Sequence, residues 1–323
     1  MDDLGLVNLL ASTLRVSTPL ILCAMAGALA ERSGVIDLGL EGKMLMAAFA
    51  TGSVAAVTGS IGLALVAGIA VGVALSMLQG YACVTHRGDQ VVMGVAITMT
   101  AAGLTVVLGI AWFQLGGQTP ALPDEVRPDR WFTGLADLVR PVPVIGPIVA
   151  GAFLGHNGLV YAALASVALV WWLLYRTRFG LRLRATGENP AMVDAAGLSV
   201  ARLRYQALAL NGVLSSLAGA YLVLAQNPSF VPHMTAGRGY MALAALIFGK
   251  WHPVGALWAC LLFGFLDAVS IRLQGVHLPG IGEVPVQLIQ AMPYVLTVVL
   301  LAGFIGHARA PKALGRPYVK ERG

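Results

Sequence analysis

Five ionisable residues, Glu31, Arg32, Asp37, Glu41 and Lys43, stand between two apolar runs in the segment ALAERSGVIDLGLEGKMLMAAFA. Charge beside long apolar runs is expensive, so each group must pair with another or serve a polar ligand. Ser33 and Gly34 are placed to end one helix and Asp37 to cap the next. Glu41 follows one turn later on the same face, near the positive end of that helix. Two uses fit: a polar element at the mouth of a pathway, or a network of caps and ion pairs that fixes two helices.

A second set lies in HRGDQVVMGVAITMTAAGLT, where Gln90, Met93, Gly94 and Ile97 recur as one helical stripe. Thr98, Thr100 and Thr105 stand within the apolar part of the same segment, as Asn211 and Gln226 do in a later one. Amides and hydroxyls so placed could line a path for a neutral polar solute. Equally, threonine can bond its own helix backbone and the stripe can be ordinary helix packing. The candidate pathway set is Asp37, Glu41, Gln90, Met93, Thr98 and Asn211.

The third candidate is a polar connector, residues 176–204, with the sequence RTRFGLRLRATGENPAMVDAAGLSVARLR. Asn189 is suited to cap a short helix, Pro190 to its first position and Gly197 to its left-handed end, which predicts a seven-residue helix. Met192, Ala195 and Ala196 would then share one face, an apolar knob on a loop that otherwise belongs in water. Arg182, Arg184, Arg202 and Arg204 around it suit headgroups or acids on a partner. The alternative is a solvated loop with an incidental helix.

Other chemistry is not supported by spacing. GKM at 42–44 and GKW at 249–251 lack the upstream glycine and following Ser or Thr of a phosphate loop, so no ATP site is expected. No Ser, His and Asp constellation or paired-histidine metal helix is evident, and His156, His233, His252 and His277 fall in loops or at segment ends. Cys23, Cys83 and Cys260 are far apart in apolar runs and predict neither a disulfide framework nor a metal site. Neither a catalytic residue nor a cofactor held by the chain is expected.

These residues must be positioned by elements suited to lipid. Of 323 residues 58% are hydrophobic and only 11% charged, and the mean hydropathy is +0.79. Apolar stretches of membrane length recur, and in hydrocarbon each must be helical to satisfy its own backbone. The reading is an all-α, polytopic transmembrane helical bundle forming a single domain over 1–323. Its 39 glycines suit close helix packing. About nine crossings, in a range of eight to ten, are read near 4–30, 37–58, 60–84, 90–113, 157–175, 205–226, 229–250, 254–272 and 284–306. Pro228, Pro232, Gly237, Arg238 and Gly239 interrupt the seventh, which is expected to be a broken crossing, the alternative being a kinked helix with no solute role. The acidic start MDDLG predicts no cleaved leader.

The net charge of +6 could suggest nucleic acid, but its distribution argues orientation instead. Residues 176–204 carry six Arg against Glu188 and Asp194, and residues 307–323 carry five Lys or Arg against Glu321. Both are expected on the cytoplasmic side, and the acid-rich loop 114–157 outside. With nine crossings the C-terminus is then cytoplasmic and the N-terminus external.

Three longer segments resemble a known family: LRVSTPLILCAMAGALAERSGVIDLGLEGKML, GLRLRATGENPAMVDAAGLSVARLRYQALALNGVLSSLAGAYL and TAGRGYMALAALIFGKWHPVGALWACLLFGFLDAVSIRLQ. They are similar to permease subunits of ATP-binding-cassette importers of the branched-chain amino acid, ribose and nucleoside group. ERSGV before LGLEG resembles the nucleoside or simple-sugar branch, whose external receptors are similar to basic membrane lipoproteins. The resemblance implies that 176–204 is a coupling loop docking on an ATPase through Glu188, Asn189, Pro190, Met192, Ala195 and Gly197. It also implies ATPase subunits that hold ATP and Mg, a second homologous permease and an extracytoplasmic substrate-binding protein. Asp37 and Thr98 depart from it, standing where asparagine is the expected residue. The expected function is bacterial inner-membrane uptake of a nucleoside, purine favoured, with a simple sugar or other small polar solute as the alternative. An ion-coupled secondary transporter, for which Asp37, Glu41 and Asp267 would be the carriers, is the rival of a different class.

Overall fold

The computed structural model describes residues 3–139, 141, 145–273, 277–278, 282–283, 291, 295, 299 and 309–319. Its helices are α1 (Asp3–Arg32), α2 (Leu40–Thr58), α3 (Ile61–Gly80), α4 (Gln90–Phe113), α5 (Thr133–Val139), α6 (Ile145–Ala152), α7 (Gly158–Arg176), α8 (Arg178–Glu188), α9 (Pro190–Ala195), α10 (Val200–Tyr221), α11 (Arg238–Phe248) and α12 (Pro253–Leu273). Short π-helical segments, Tyr81–Thr85 and Leu222–Gln226, extend α3 and α10. The one sheet among the described residues is a two-residue antiparallel pair, His277–Leu278 with Gly282–Glu283. The architecture is all-α.

Among the described residues seven helices are long and apolar enough to cross a membrane: Gly5–Arg32, Leu40–Thr58, Ile61–Thr85, Gln90–Phe113, Gly158–Arg176, Val200–Gln226 and Pro253–Leu273. The interrupted seventh crossing adds α11, which is shorter. The ninth expected span, 284–306, lies almost wholly outside the described residues. α1, α2 and α10 are central and mostly buried, whereas α3, α4, α7 and α12 present side chains such as Val66, Met99, Leu169 and Trp258 outward. That distribution suits lipid, which accepts apolar surface without penalty.

Small residues set the central contacts. A Cβ added at Gly212 would lie 2.7 Å from Val73 Cα, and one at Gly42 would lie 2.6 Å from Thr98 Cα, so α3 with α10 and α2 with α4 meet backbone to backbone. Pro19 sits inside α1 and cannot donate to the Arg15 carbonyl. Tyr221 supplies the missing donor, its hydroxyl reaching that carbonyl at 3.0 Å, so α10 closes the gap in α1.

The seventh crossing is broken, as expected, and it traverses the bundle. At one end the Leu122 N–H donates to Pro228 O and the Thr119 N–H to Phe230 O, both within the 114–157 loop region. Residues 228–231 then run as irregular backbone and 232–237 as turns, and α11 leads the chain to Trp251, whose indole donates to Glu31 at the other end. That second end, called the basic end below, also holds the 33–39 connector, residues 177–199 and residues 309–319. The opposite end holds the start of α1, where Arg272 donates to Gly5 O.

Two local expectations are corrected. Asp37 does not cap α2, because its carboxylate is engaged by Lys43 and Asn211; the cap position falls to Gly39, which makes no side-chain cap bond. The polar connector holds a second helix, α8, ahead of the predicted one. Thr177 caps it by accepting from the Gly180 N–H at 3.0 Å, and Leu183 pins it to the core. Gly180 and Gly187 obscure this helix in the sequence because glycine weakens helical propensity.

Candidate functional site

Two constellations occupy the basic end. The first is a buried polar hub built on the 33–37 connector. Lys43 Nζ lies 2.9 Å from Asp37 Oδ2 and 3.0 Å from Oδ1, and donates to Asn211 Oδ1 at 2.8 Å. Asn211 Nδ2 donates to Asp37 Oδ2 at 2.6 Å, and Ser76 Oγ donates to Asn211 Oδ1 at 3.2 Å. Asp37, Lys43, Asn211 and Ser76 are fully buried. All three ammonium donors have acceptors, which is what allows such a pair to exist away from water.

Two glutamines clamp the same connector. Gln90 Oε1 accepts the Ile36 N–H at 2.7 Å while Gln79 Nε2 donates to the Ile36 carbonyl at 3.0 Å. Helices α3 and α4 thereby hold the backbone of one connector residue, Ile36, through the peptide groups on both sides of it. Gln90, Gly94 and Ile97 are buried and Met93 half-buried, so the stripe faces inward. Thr98 Oγ1 donates to Gly94 O of its own helix, and Thr105 does the same to Ala101 O.

Glu41 is turned toward a different partner. Its Oε1 accepts the Gly237 N–H at 2.8 Å and its Oε2 the Gly239 N–H at 2.6 Å, so a side chain of α2 caps the start of α11. A carboxylate at the positive end of a helix, taking two backbone donors, makes strong charge-assisted bonds. It is the anchor on which the broken span resumes as helix.

Of the six pathway candidates, the structure joins Asp37 and Asn211 directly and brings Gln90 to the same connector. Glu41 stands at the break, and Met93 and Thr98 lie on α4 outside these bonds. Lys43, Ser76 and Gln79 complete the hub without having been candidates. Lys43 carried a usable signal: a lone ammonium inside an apolar helix requires a counter-charge, and Asp37 precedes it closely.

The second constellation is α9. Asn189 Oδ1 accepts the Met192 N–H at 3.2 Å, Pro190 holds the first position and Gly197, with φ of 79°, follows the end. The helix has six residues rather than seven. Val193 is buried against Val200 and Leu203, while Met192 is 68% exposed and Ala195 and Ala196 are exposed with it. Glu188 and Asn189 are also exposed. Arg182 and Arg202 face solvent, and Arg184 lies over the Tyr175 ring at 4.6 Å. Arg204, however, is buried and donates to Ser33 O and Arg316 O, which removes it from any partner surface. Among the described residues no group of three or more His, Cys, Asp or Glu is placed to hold a metal.

Among the described residues, seven lipid-length helices, a span broken midway and a buried polar hub whose charges are paired define a polytopic membrane transport subunit. The chain belongs to the family described as branched-chain amino acid transport system / permease component, which matches residues 9–303. It is 37% identical to the guanosine ABC transporter permease protein NupQ of Bacillus subtilis, over 99% of each chain. It is 36% identical to the nucleoside ABC transporter permease protein NupC of Lactococcus lactis, over 97% of each. More distantly, it is 26% identical to the ribose import permease protein RbsC of Escherichia coli, over 77% of this chain and 75% of that one. As a multi-pass permease subunit of an ATP-binding-cassette transporter it is not an enzyme, and it works with ATPase and substrate-binding partners.

Proposed function

We propose that the chain imports a nucleoside, a purine nucleoside in first place, by alternating access across the bacterial cytoplasmic membrane. The observation that carries the solute class is the likeness, over nearly the whole chain, to a guanosine and a nucleoside permease. The 1–323 chain acts as one permease domain beside a second, homologous permease. An extracytoplasmic receptor delivers solute at the 114–157 end, and ATP with Mg is held by the partner ATPases. The loop 176–204, the C-terminus and the basic end face the cytoplasm, and the N-terminus faces outward, in keeping with the positive-inside rule.

Coupling is assigned to α9. An exposed apolar tip of Met192, Ala195 and Ala196, braced from below by Val193, suits insertion into a groove on an ATPase, with Glu188, Asn189, Pro190 and Gly197 fixing its ends. When ATP closes the ATPases, α9 moves with them and the spans tilt. Solute contacts are assigned to the half-buried Met93 and Thr98, with Asp37, Glu41, Gln90 and Asn211 forming the polar support behind them. Differential affinity between the outward and inward states is what moves solute, so tight binding to either state would stall the cycle.

The test is ATP-dependent uptake of guanosine by the reconstituted complex, comparing wild type with Ala195→Pro in complexes that assemble equally. Uptake lost in the variant alone supports both assignments. Uptake of ribose but not nucleoside overturns the solute and favours the simple-sugar reading suggested by the more distant likeness to RbsC. Unchanged uptake by Ala195→Pro overturns the coupling helix. Uptake driven by an ion gradient without ATP would restore the secondary-transporter rival.

A further inference from the structure

Residues 309–319 return from the far side of the chain to lie across the basic end, and their contacts are specific. The Ala313 N–H donates to Gly187 O at 2.8 Å, in the last turn of α8, and the Gly315 N–H donates to Gly34 O at 3.1 Å. Arg204 binds both layers, donating to Ser33 O and to Arg316 O at 3.3 Å each. Gly34 has φ of 91°, and a Cβ there would lie 3.0 Å from the Arg204 guanidinium and 3.2 Å from Ala313 O. The connector is therefore shaped to receive this segment. Beyond it Tyr318 packs on the Val193, Val200 and Leu203 cluster, and its hydroxyl donates to Asp194 Oδ2 at 3.1 Å.

This segment touches both ends of a mechanical problem. Residue Asp194 belongs to α9, which packs on the start of α10 through the buried Val193 and follows directly on α8. A cavity of about 400 Å³, lined in part by Thr85, Arg87, Asp194, Gly197, Ser199 and Tyr318, lies beside it. Such space beside α9 gives room for it to tilt, and Tyr318, on the wall of that space, is bonded to Asp194. At its other end the segment grips Gly34, three residues before Asp37, in the connector that Gln79, Gln90, Lys43 and Asn211 hold to four transmembrane helices.

We infer that residues 309–319 are a strap that couples α9 to the 33–37 connector, with Tyr318 as the positioning residue that sets the angle of α9 through Asp194. The inference rests on the assignment of α9 as the coupling helix. A push on α9 then reaches the connector through the strap and Arg204 as well as through α10. The connector passes it to the Asp37, Lys43 and Asn211 hub and, through α2 and Glu41, to the start of α11. The ATPase contact and the broken span are thus joined by a contiguous series of bonded groups, the kind of network through which such coupling can travel.

The experiment is a double-mutant cycle on the full complex, with Tyr318→Phe, Asp194→Ala and both together, reading guanosine taken up per ATP hydrolysed. A parallel measurement places Met192→Cys in each background and scores its cross-link to the ATPase. Each single variant is expected to lower uptake per ATP about threefold, the size of effect that losing one hydrogen bond produces, with the double variant no worse than either. Thermal stability and the amount of assembled complex are expected to be unchanged, which a purely structural role would not allow. Multiplying effects, or an unchanged ratio, with the cross-link present would overturn the strap and leave the coupling helix standing. Loss of the cross-link in the wild-type background overturns the coupling helix, and the strap with it.

Discussion

The hub at residues 33–43 and the helix α9 are both polar-to-apolar anomalies, and they are anomalies of opposite kind. In the hub, charge is buried where the central helices of a membrane bundle converge, and the charges of Asp37 and Lys43 are met: Lys43 has three acceptors, Asp37 has Lys43 and Asn211. In α9, apolar surface is exposed where water is expected, with Met192, Ala195 and Ala196 uncovered. A constellation whose buried charges are met within the chain needs no charged partner and serves to hold helices in register, although Gln79 Oε1 and Gln90 Nε2 beside it are buried without a bond. One that leaves apolar surface open is completed by something else. Polar residues alone would have pointed to the hub as the site of interaction, but the bonding balance points to α9.

The sharpest way to break this contrast is to unbalance the hub. Lys43→Met leaves the Asp37 carboxylate buried without its cation and is expected to cost about 3–5 kcal/mol of stability, measured by thermal unfolding in detergent. Adding Asp37→Asn to the same chain removes the stranded charge and should recover most of the loss. If the single variant unfolds at the wild-type temperature, the hub is not a closed network. Glu41→Ala comes next. It leaves the Gly237 and Gly239 donors without acceptors and is expected to cost about 2 kcal/mol, with hydrogen exchange at the start of α11 rising before the rest of the chain. Uniform exchange would show that the broken span does not depend on this cap.

How much of this could be read beforehand follows from which physics was local. The lipid-length helices, the break near Pro228 to Gly239 and the cap, proline and glycine of α9 are written in composition and spacing, and they appear where expected. The count of nine crossings has eight counterparts, the last lying outside the described residues. Asp37 departs from the cap that its sequence position predicts because its partners, Lys43 and Asn211, are chosen by tertiary packing; a local rule favours an N-cap whenever an acid precedes a helix. Glu41 capping a helix almost two hundred positions away is beyond any local rule. Helix α8 was hidden by its glycines, and the inward use of Arg204 by its place in a run of arginines that otherwise faces solvent.

At α9 the contrast sharpens in the other direction. Met192→Ser is expected to change the stability of the chain by less than about 0.5 kcal/mol, since the side chain touches little. Binding to the ATPase should weaken about tenfold, which is about 1.4 kcal/mol, in a titration of detergent-solubilised subunits. A stability loss without an affinity loss would mean that Met192 is covered by this chain itself, and the two regions would no longer differ.

The smallest effect tests whether a buried titratable group is held as firmly at the opposite end. His156, beyond the membrane-spanning segments and just before α7, is buried with Nε2 2.9 Å from Ala152 O. Burial pushes its pKa below the ordinary 6.5, and the bond to Ala152 opposes this while Arg15 and Arg130 add to the lowering. The unfolded chain therefore binds the proton more readily than the folded one. The neutral imidazole's contribution is complete above the unfolded value of 6.5 and declines as the pH falls through that value toward the lower folded one. In detergent, the unfolding temperature of the wild type should drop slightly as the medium is acidified below neutrality, and that of His156→Gln should drop less. Parallel curves for the two proteins would mean that His156 is not held neutral by its surroundings, so that this end of the molecule, unlike the hub, leaves a buried polar group open to titration.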